Sequence, residues 1–431
     1  MIHVGYLVAT ATALMVMLIV TVGSKNRWIE GTTGIACSGL LLLIHATSIE
    51  LALHDIERLL PTVLFLGFCL SFARLCEKER LFDYLGHLVG NLCRGNPRLL
   101  FILVFALSAT VTSVLSLDAT VLLLTPIVLQ AAFRLGFDYR PFAYETGHLA
   151  NTASMLLPIS NLTNLLLVAY ANISFLDFIR LSWLPWVAAL IAEFLTLFVI
   201  FHRSLSGSGI PRKRVQDQRQ SDRSSYRTPT FALLTVALTL IGFVVTGMFD
   251  IAPFWVALAG CATLMAWRCM SEKTRLSEEL HTAWKSFNVS FLIFVLSLSV
   301  VVASLADNGI RTLLLPAFHQ PVSLASLLMI AAVSVVASNI MNNLPAAMLL
   351  IPIAASQNPM MAMAVLIGVN LGPNLTYVGS LANILWRRIL LRTGKKVELL
   401  QFSWIGLVTT SLCIVSSIVA LWVGGTGIVS G

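Results

Sequence analysis

At 431 residues the chain is 57% hydrophobic and 11% charged, with a mean hydropathy of +0.87, whereas a soluble domain carries roughly twice that share of charge. A soluble globular protein is excluded, and an all-α polytopic membrane protein is predicted. The net charge of +8 sits in a few loops, where it reads as membrane topology and not as nucleic-acid contact.

The first predicted span covers 4–22. It is long enough to cross and has no basic stretch ahead of it, so it reads as a retained helix rather than a cleaved signal. Lys25 and Arg27 follow, then a second span at 31–48. An acidic connector with Glu50, Asp55 and Glu57 precedes a third span at 60–75. A loop holding Arg74, Lys78, Arg80, Arg94 and Arg98 comes next.

Residues 99–133 carry one charge, Asp118, in 35 residues. A straight helix of that length would measure about 52 Å, against a hydrocarbon core of about 30 Å. Two full crossings with a turn need more than about 40 residues. A re-entrant hairpin fits: two half-helices meeting at a polar tip, Ser116-Leu117-Asp118-Ala119-Thr120, inside the membrane. Backbone of that kind is tolerated at depth only where protein or a water-filled cavity covers it. Residues 142–173 then read as a broken helix, interrupted at Asn151-Thr152-Ala153-Ser154 and at Pro158-Ile159-Ser160-Asn161-Leu162-Thr163-Asn164. Proline removes a backbone donor, and the Ser, Thr and Asn side chains compete for backbone hydrogen bonds. A further span at 178–201 closes the first half.

Residues 203–227 hold seven Lys/Arg and two Asp and read as a basic linker. The second half follows the same order. Spans are predicted at 231–248 and 253–267, a charged loop at 268–285 and a span at 287–305. Residues 320–386 then contain no charged residue or histidine in 67 positions. They hold a second hairpin, 322–356, with Asn342-Asn343-Leu344 at its tip. A second broken helix follows at 361–389, interrupted at Gly372-Pro373-Asn374 and Gly379-Ser380. The basic loop Arg387 to Lys396 and a last span at 402–423 end the chain. A shift of 226 residues superposes 123–127 on 349–353, and a shift of 219 aligns 161–164 with 380–383 and Asn151 with Asn370.

The predicted organisation is therefore a first repeat at 1–202, a cytoplasmic linker at 203–228 and a second repeat at 229–431. Each repeat has about five crossings including its broken helix, plus one re-entrant hairpin. With the linker inside, the basic loops fall inside and the acidic connector and Asp250 outside. Both termini come out external. The odd number of crossings per half makes the repeats inverted. The expected location is the plasma (inner) membrane.

A hairpin tip and a broken helix both present free backbone N–H groups or carbonyls at half-helix ends, which suit polar solutes, anions or cations. The candidate binding residues are Ser116, Asp118, Thr120, Asn151, Ser160, Asn161, Thr163, Asn164, Asn342, Asn343, Asn374, Gly379, Ser380 and Asn383. Asp118 reads as the group that handles a proton or cation, with a structural N-cap carboxylate as the alternative. Glu145 and His148, three apart on one helix face, form either a proton path toward Asp118 or a hydrogen-bonded pair near the cytoplasmic surface. The seven cysteines are scattered without a CxxC, none inside the polar stretches, and read as small buried hydrophobes. There is no HExxH and no Walker motif, so an enzyme is not expected.

Ser-Leu-Asp-Ala-Thr-Val-Leu-Leu-Leu-Thr-Pro-Ile (116–127), Ile-Ser-Asn-Leu-Thr-Asn (159–164), Asn-Asn-Leu-Pro (342–345) and Gly-Ser-Leu-Ala-Asn-Ile-Leu-Trp (379–386) resemble the arsenite permease family, the arsenical pump membrane proteins of the ion transporter superfamily that also holds the divalent anion–sodium symporters. The resemblance implies export of arsenite and antimonite as neutral trihydroxides in exchange for protons. It also implies substrate held between the two tips and the two unwound loops, and an elevator-like step. Position 117 is Leu where relatives usually have Asn, and 151 is Asn where arsenite permeases often have Asp. The alternative is a sodium- or proton-coupled carboxylate or oxyanion transporter of the same fold. No cofactor is expected beyond an ion gradient. The partners implied are a small inorganic or carboxylate solute, membrane lipid, in some relatives a cytoplasmic ATPase, and by analogy a second copy in a homodimer.

Overall fold

The computed structural model describes residues 4–23, 27–206, 228–247, 251–271, 274–394 and 398–425. The linker from 207 to 227, Lys25, Asp250, Lys395, Lys396 and both extreme termini lie outside the described residues. Among the described residues every regular element is helical, and eight helices are long and apolar enough to cross a membrane. In hydrocarbon a backbone must bond within its own segment, which a helix does.

The first half consists of α1 (Val4–Gly23), α2 (Arg27–Leu43), α3 (Ile49–Lys78), α4 (Leu81–Leu92), α5 (Pro97–Val114), α6 (Leu117–Arg134), α7 (Arg140–Thr152), α8 (Leu162–Ala171) and α9 (Phe175–Ile200). The second half consists of α10 (Thr230–Gly247), α11 (Phe254–Ser271), α12 (Leu276–Phe287), α13 (Val289–Leu305), α14 (Arg311–Phe318), α15 (Leu324–Met341), α16 (Asn343–Ala355), α17 (Pro359–Leu371), α18 (Leu381–Arg392) and α19 (Leu399–Gly425). Both hairpins form where expected, α5–α6 around 115–116 and α15–α16 around Asn342. Both broken helices form too, α7–α8 and α17–α18.

Three expectations are corrected. The acidic connector is not a loop: Ser48 caps α3 by accepting from the Leu51 N–H at 3.2 Å, and Glu50, Asp55 and Glu57 ride on one continuous 30-residue helix. Carboxylates in a first turn suit the positive helix end. The loops read at 74–98 and 268–285 each contain an amphipathic helix, α4 and α12. Charge on α12, and the basic residues that flank α4, hid their periodicity. Ion pairs pin α12 to the end of α3: the Arg268 guanidinium on α11 pairs with Glu79 (2.8 Å) and Glu279 (3.1 Å), and Lys78 reaches Glu279 at 3.3 Å. Finally, α13 runs on through a π-helical stretch, Ala306–Ile310, into α14. Residues 306–318 are thus helical where no element was foreseen.

The core has two large apolar clusters. One surrounds the first hairpin with α7, α18 and Phe402. The other surrounds the second hairpin and α17. Helix α17 is buried along its whole length after Pro359, and Asn370 is its one polar side chain, as a helix packed on all sides requires. Helix α9 lies along α19, where Ser417 donates to the Pro185 carbonyl at 3.0 Å.

Candidate functional site

Tip one is built by a cap. Ser116 has extended backbone, and its Oγ accepts from the Ala119 N–H at 3.2 Å. Ser116, not Asp118, is therefore the N-cap of α6, and the capping alternative for Asp118 falls. Asp118 stands in the first turn, half-buried and facing a cavity. Thr120 sits behind it, fully buried, its hydroxyl 2.7 Å from that of Thr112 on α5. That bond ties the two limbs together. The following turn, Thr120–Leu124, is π-helical, a distortion common at functional sites.

Tip two is tied to the second break. Asn342 has φ +75° and ψ 158°, a backbone region that favours glycine and is strained for any side chain. Its amide donates to the Val378 carbonyl at 3.2 Å, and the Asn343 N–H donates to the Gly379 carbonyl at 3.0 Å. A Cβ at Gly379 would stand 2.6 Å from Pro373 Cα, so only glycine fits this crossing.

The two breaks are held by buried asparagines. Asn161 and Ser380 cap α8 and α18, accepting from the Thr163 and Asn383 N–H groups at 3.3 and 3.2 Å. Asn151 donates to both Asn374 and Asn383 at 2.8 Å. Asn370, a residue outside the candidate set, accepts from Asn161 (3.2 Å) and Thr163 (2.6 Å) and donates to Asn164 (2.9 Å). Each bond satisfies an amide that would otherwise be costly to bury.

Between these parts lies a cavity of about 70 Å³. It is lined by Ser116, Leu117 and Asp118 of tip one; Ser160, Asn161 and Thr163 of break one; Asn343 and Leu344 of tip two; and Ser380 and Leu381 of break two. Phe65 and Cys69 of α3 and Phe291 of α13 complete the wall. The first residues of α6, α8, α16 and α18 all line it, so four helix N-termini, each a partial positive charge, converge on one small space. Its single ionisable carboxylate is Asp118, and no Lys or Arg lines it.

Seven candidates thus share the cavity: Ser116, Asp118, Ser160, Asn161, Thr163, Asn343 and Ser380. Thr120, Asn151, Asn164, Asn374, Gly379 and Asn383 lie behind its wall and shape it. Asn342 faces a second cavity, on the far side of tip two. Glu145 and His148 are both fully buried. They are not bonded to each other, so the hydrogen-bonded pair does not form. His148 Nδ1 lies 2.8 Å from Glu193 Oε1 on α9, while neither oxygen of Glu145 has a hydrogen-bond partner among the described residues. Thr152 and Cys413 donate to Glu193 Oε2 at 3.2 and 3.1 Å. Glu193 was missed, although it is the one acid inside the predicted span 178–201. Cys69 was missed as well: it belongs to no polar stretch, and only the packing of α3 brings it to the cavity.

Two interrupted helices and two hairpin tips meeting at a small polar cavity, inside a bundle of apolar spans, define a membrane transporter. The chain belongs to the citrate transporter family, whose model matches residues 4–362. An arsenical pump membrane protein of Escherichia coli is 27% identical over 350 residues, 78% of this chain and 80% of the relative. An uncharacterised transporter of Mycobacterium tuberculosis is 24% identical over 415 residues, 92% and 93% of the two chains. The crystal structure of the Alcanivorax borkumensis YdaH transporter is similar in fold, with a TM-score of 0.53 at 14% identity over 87% of this chain and 88% of that one.

Proposed function

We propose that this transporter exports arsenite or antimonite, as the neutral trihydroxide, in exchange for protons. The observation that carries the reading is the cavity where four helix N-termini meet Asp118. Amide and hydroxyl groups of Ser116, Ser160, Asn161, Thr163, Asn343 and Ser380 can donate to and accept from a polyhydroxyl solute. An ionised Asp118 accepts its hydroxyl protons, and a proton arriving on Asp118 weakens that hold. Binding proton and solute in competition is what an exchanger requires. The volume of about 70 Å³ accommodates a solute the size of a few waters and lies well below the roughly 300–1,000 Å³ of ordinary small-molecule pockets. The relatives named as arsenical pumps point the same way.

The transport step in this reading is elevator-like. The two halves act as inverted copies, and their tips and unwound loops carry the solute as one unit past α1–α3 and α10–α13. Energy comes from the proton gradient, or from sodium in the alternative below. A cytoplasmic ATPase and a homodimer are compatible additions drawn from the resemblance. The proton path runs through Asp118, with Glu145 and His148 as its buried continuation.

The alternative, a sodium- or proton-coupled carboxylate or oxyanion transporter, is favoured by the description of the family model. It is also favoured by the positive ends of four helices, which suit an anion. A carboxylate as large as citrate requires the cavity to widen.

Everted vesicles containing this protein alone separate the two readings. Arsenite accumulation that follows an imposed proton gradient is the expected result. Sealed vesicles holding folded protein that accumulate citrate and not arsenite would establish the alternative.

A further inference from the structure

A second cavity of about 450 Å³ lies behind tip two. Met15, Leu18 and Ile19 of α1, spaced i, i+3, i+4 on one face, form one wall. Phe294 and Leu298 of α13, one turn apart, form another. The third wall is the tip itself, from Ile340 to Pro345, with Val378 and Leu381 from the second break. Asn342 is its one polar side chain. Its size falls within the roughly 300–1,000 Å³ of sites that hold a small organic ligand.

The rim faces outward. Ile19 is 65% exposed, Ile340 70%, Met15 51% and Val378 50%. Met15 to Ile19 lie in the interior of α1, a 20-residue helix without a charge. In the membrane, what meets this rim is hydrocarbon and not water. An apolar space of this size that opens on acyl chains is not left empty, because its lining would forfeit dispersion contacts.

We infer that the groove between α1, α13 and the tip of the second hairpin is a binding site for one acyl chain of a membrane phospholipid. Leu344 and Leu381 line both this groove and the solute cavity. They are a partition one side chain thick. A bound chain supports that partition from behind and packs against Met341 and Pro345. Lipid is then a structural part of the solute cavity's wall, whichever solute is carried. The inference does not depend on the solute or on the coupling ion.

The test is cross-linking in detergent micelles with a phosphatidylcholine that carries a diazirine near its tail end, titrated over a range of mole fractions. Labelling of peptides containing Met15, Leu18 and Met341 is expected to saturate. Labelling at Ile191 and Leu195, equally apolar and exposed on α9, is expected to rise linearly as bulk contact does. Two variants fill the groove from opposite walls, Leu18→Trp and Met341→Trp. Each should cut the saturable labelling by at least about fivefold, since a clash excludes the ligand, whereas Leu195→Trp should not. The unmodified protein decides the matter even if both variants fold poorly. Linear labelling at all positions would overturn the site. So would weak groove labelling together with an inter-chain disulfide in Ile340→Cys, which would assign the groove to a second copy of the chain.

Discussion

The Asn151 amide donates to Oδ1 of Asn383 at 2.8 Å, and the Asn370 amide donates to Oδ1 of Asn164 at 2.9 Å. Asn151 to Asn370 and Asn164 to Asn383 are the same step of 219 residues. The partners repeat at that step as well. Asn164 donates to the carbonyls of Ser154 (2.6 Å) and Leu157 (2.8 Å), and Asn383 to those of Pro373 (2.6 Å) and Thr376 (3.0 Å). Each half therefore holds the other half's unwound loop with the equivalent amide. A break in a buried helix leaves backbone carbonyls unpaired; Asn164 and Asn383 satisfy those of their own half, and each is held in turn by an amide from the other half.

Asn370→Ala tests the lock. It removes the acceptor of Asn161 and Thr163 and the donor to Asn164, so three buried groups lose a partner. Each buried polar group left unsatisfied costs about 1–3 kcal/mol. A lower melting temperature and loss of transport are expected, with full insertion. Wild-type melting and transport in this variant would show that the lock holds nothing.

Asp118→Asn separates coupling from folding. Ser116 makes the cap bond at tip one, so the amide should cost the fold little, within the roughly 0.5 kcal/mol of a neutral substitution. Gradient-driven accumulation should disappear while solute exchange across a sealed vesicle persists. If gradient-driven accumulation is unchanged, Asp118 is not the coupling group.

Much of this arrangement was legible in the sequence, for stated reasons. Both hairpins were found because their charge-free runs have lengths that suit neither one nor two crossings, with Asp118 and Asn342 to Asn343 at the expected turns. The breaks were found because Pro158, Pro373 and clustered Asn and Ser interrupt apolar segments. The cavity's wall was less legible. Cys69 and Phe291 reach it only through the packing of α3 and α13, and spacing along the chain carries no trace of that. Asn370 was aligned with Asn151 by the repeat, yet its role as a hub depends on three side chains from the other half, Asn161, Thr163 and Asn164. Helix α4 was read as loop because the basic residues on either side of it, Arg74, Lys78, Arg80, Arg94 and Arg98, drew it into a charged stretch, and α12 because Glu278, Glu279 and Lys285 outweighed a short apolar stripe.

Glu193 and His148 offer a third test. Both are fully buried, and they bridge α7 and α9 at 2.8 Å. Removing one partner of a buried hydrogen bond strands the other polar group and costs about 1–3 kcal/mol. Glu193→Ala and His148→Ala should each lower the melting temperature clearly. The double variant should lose less than the sum of the two, since neither polar group is then left without the other. Strict additivity in thermal denaturation would mean that the two groups do not interact.

Gly406 fixes how closely α19 approaches the second break. A Cβ built there would lie 1.9 Å from the Asn374 carbonyl oxygen, a backbone atom that cannot swing aside. Asn374 donates to Thr152 at 3.0 Å and to the His148 carbonyl at 3.3 Å, so pushing it moves the joint between the two broken helices. Gly406→Ala must displace either α19 or the 372–375 turn. Overpacking of this kind costs about 1–3 kcal/mol. The expected outcome is a less stable protein whose transport falls further than Gly424→Ala lowers it, because Gly424 would meet only the Leu184 side chain, at 3.1 Å. Comparing melting temperature and transport in the two variants checks this, and equal effects would mean that α19 does not set the geometry of the second break.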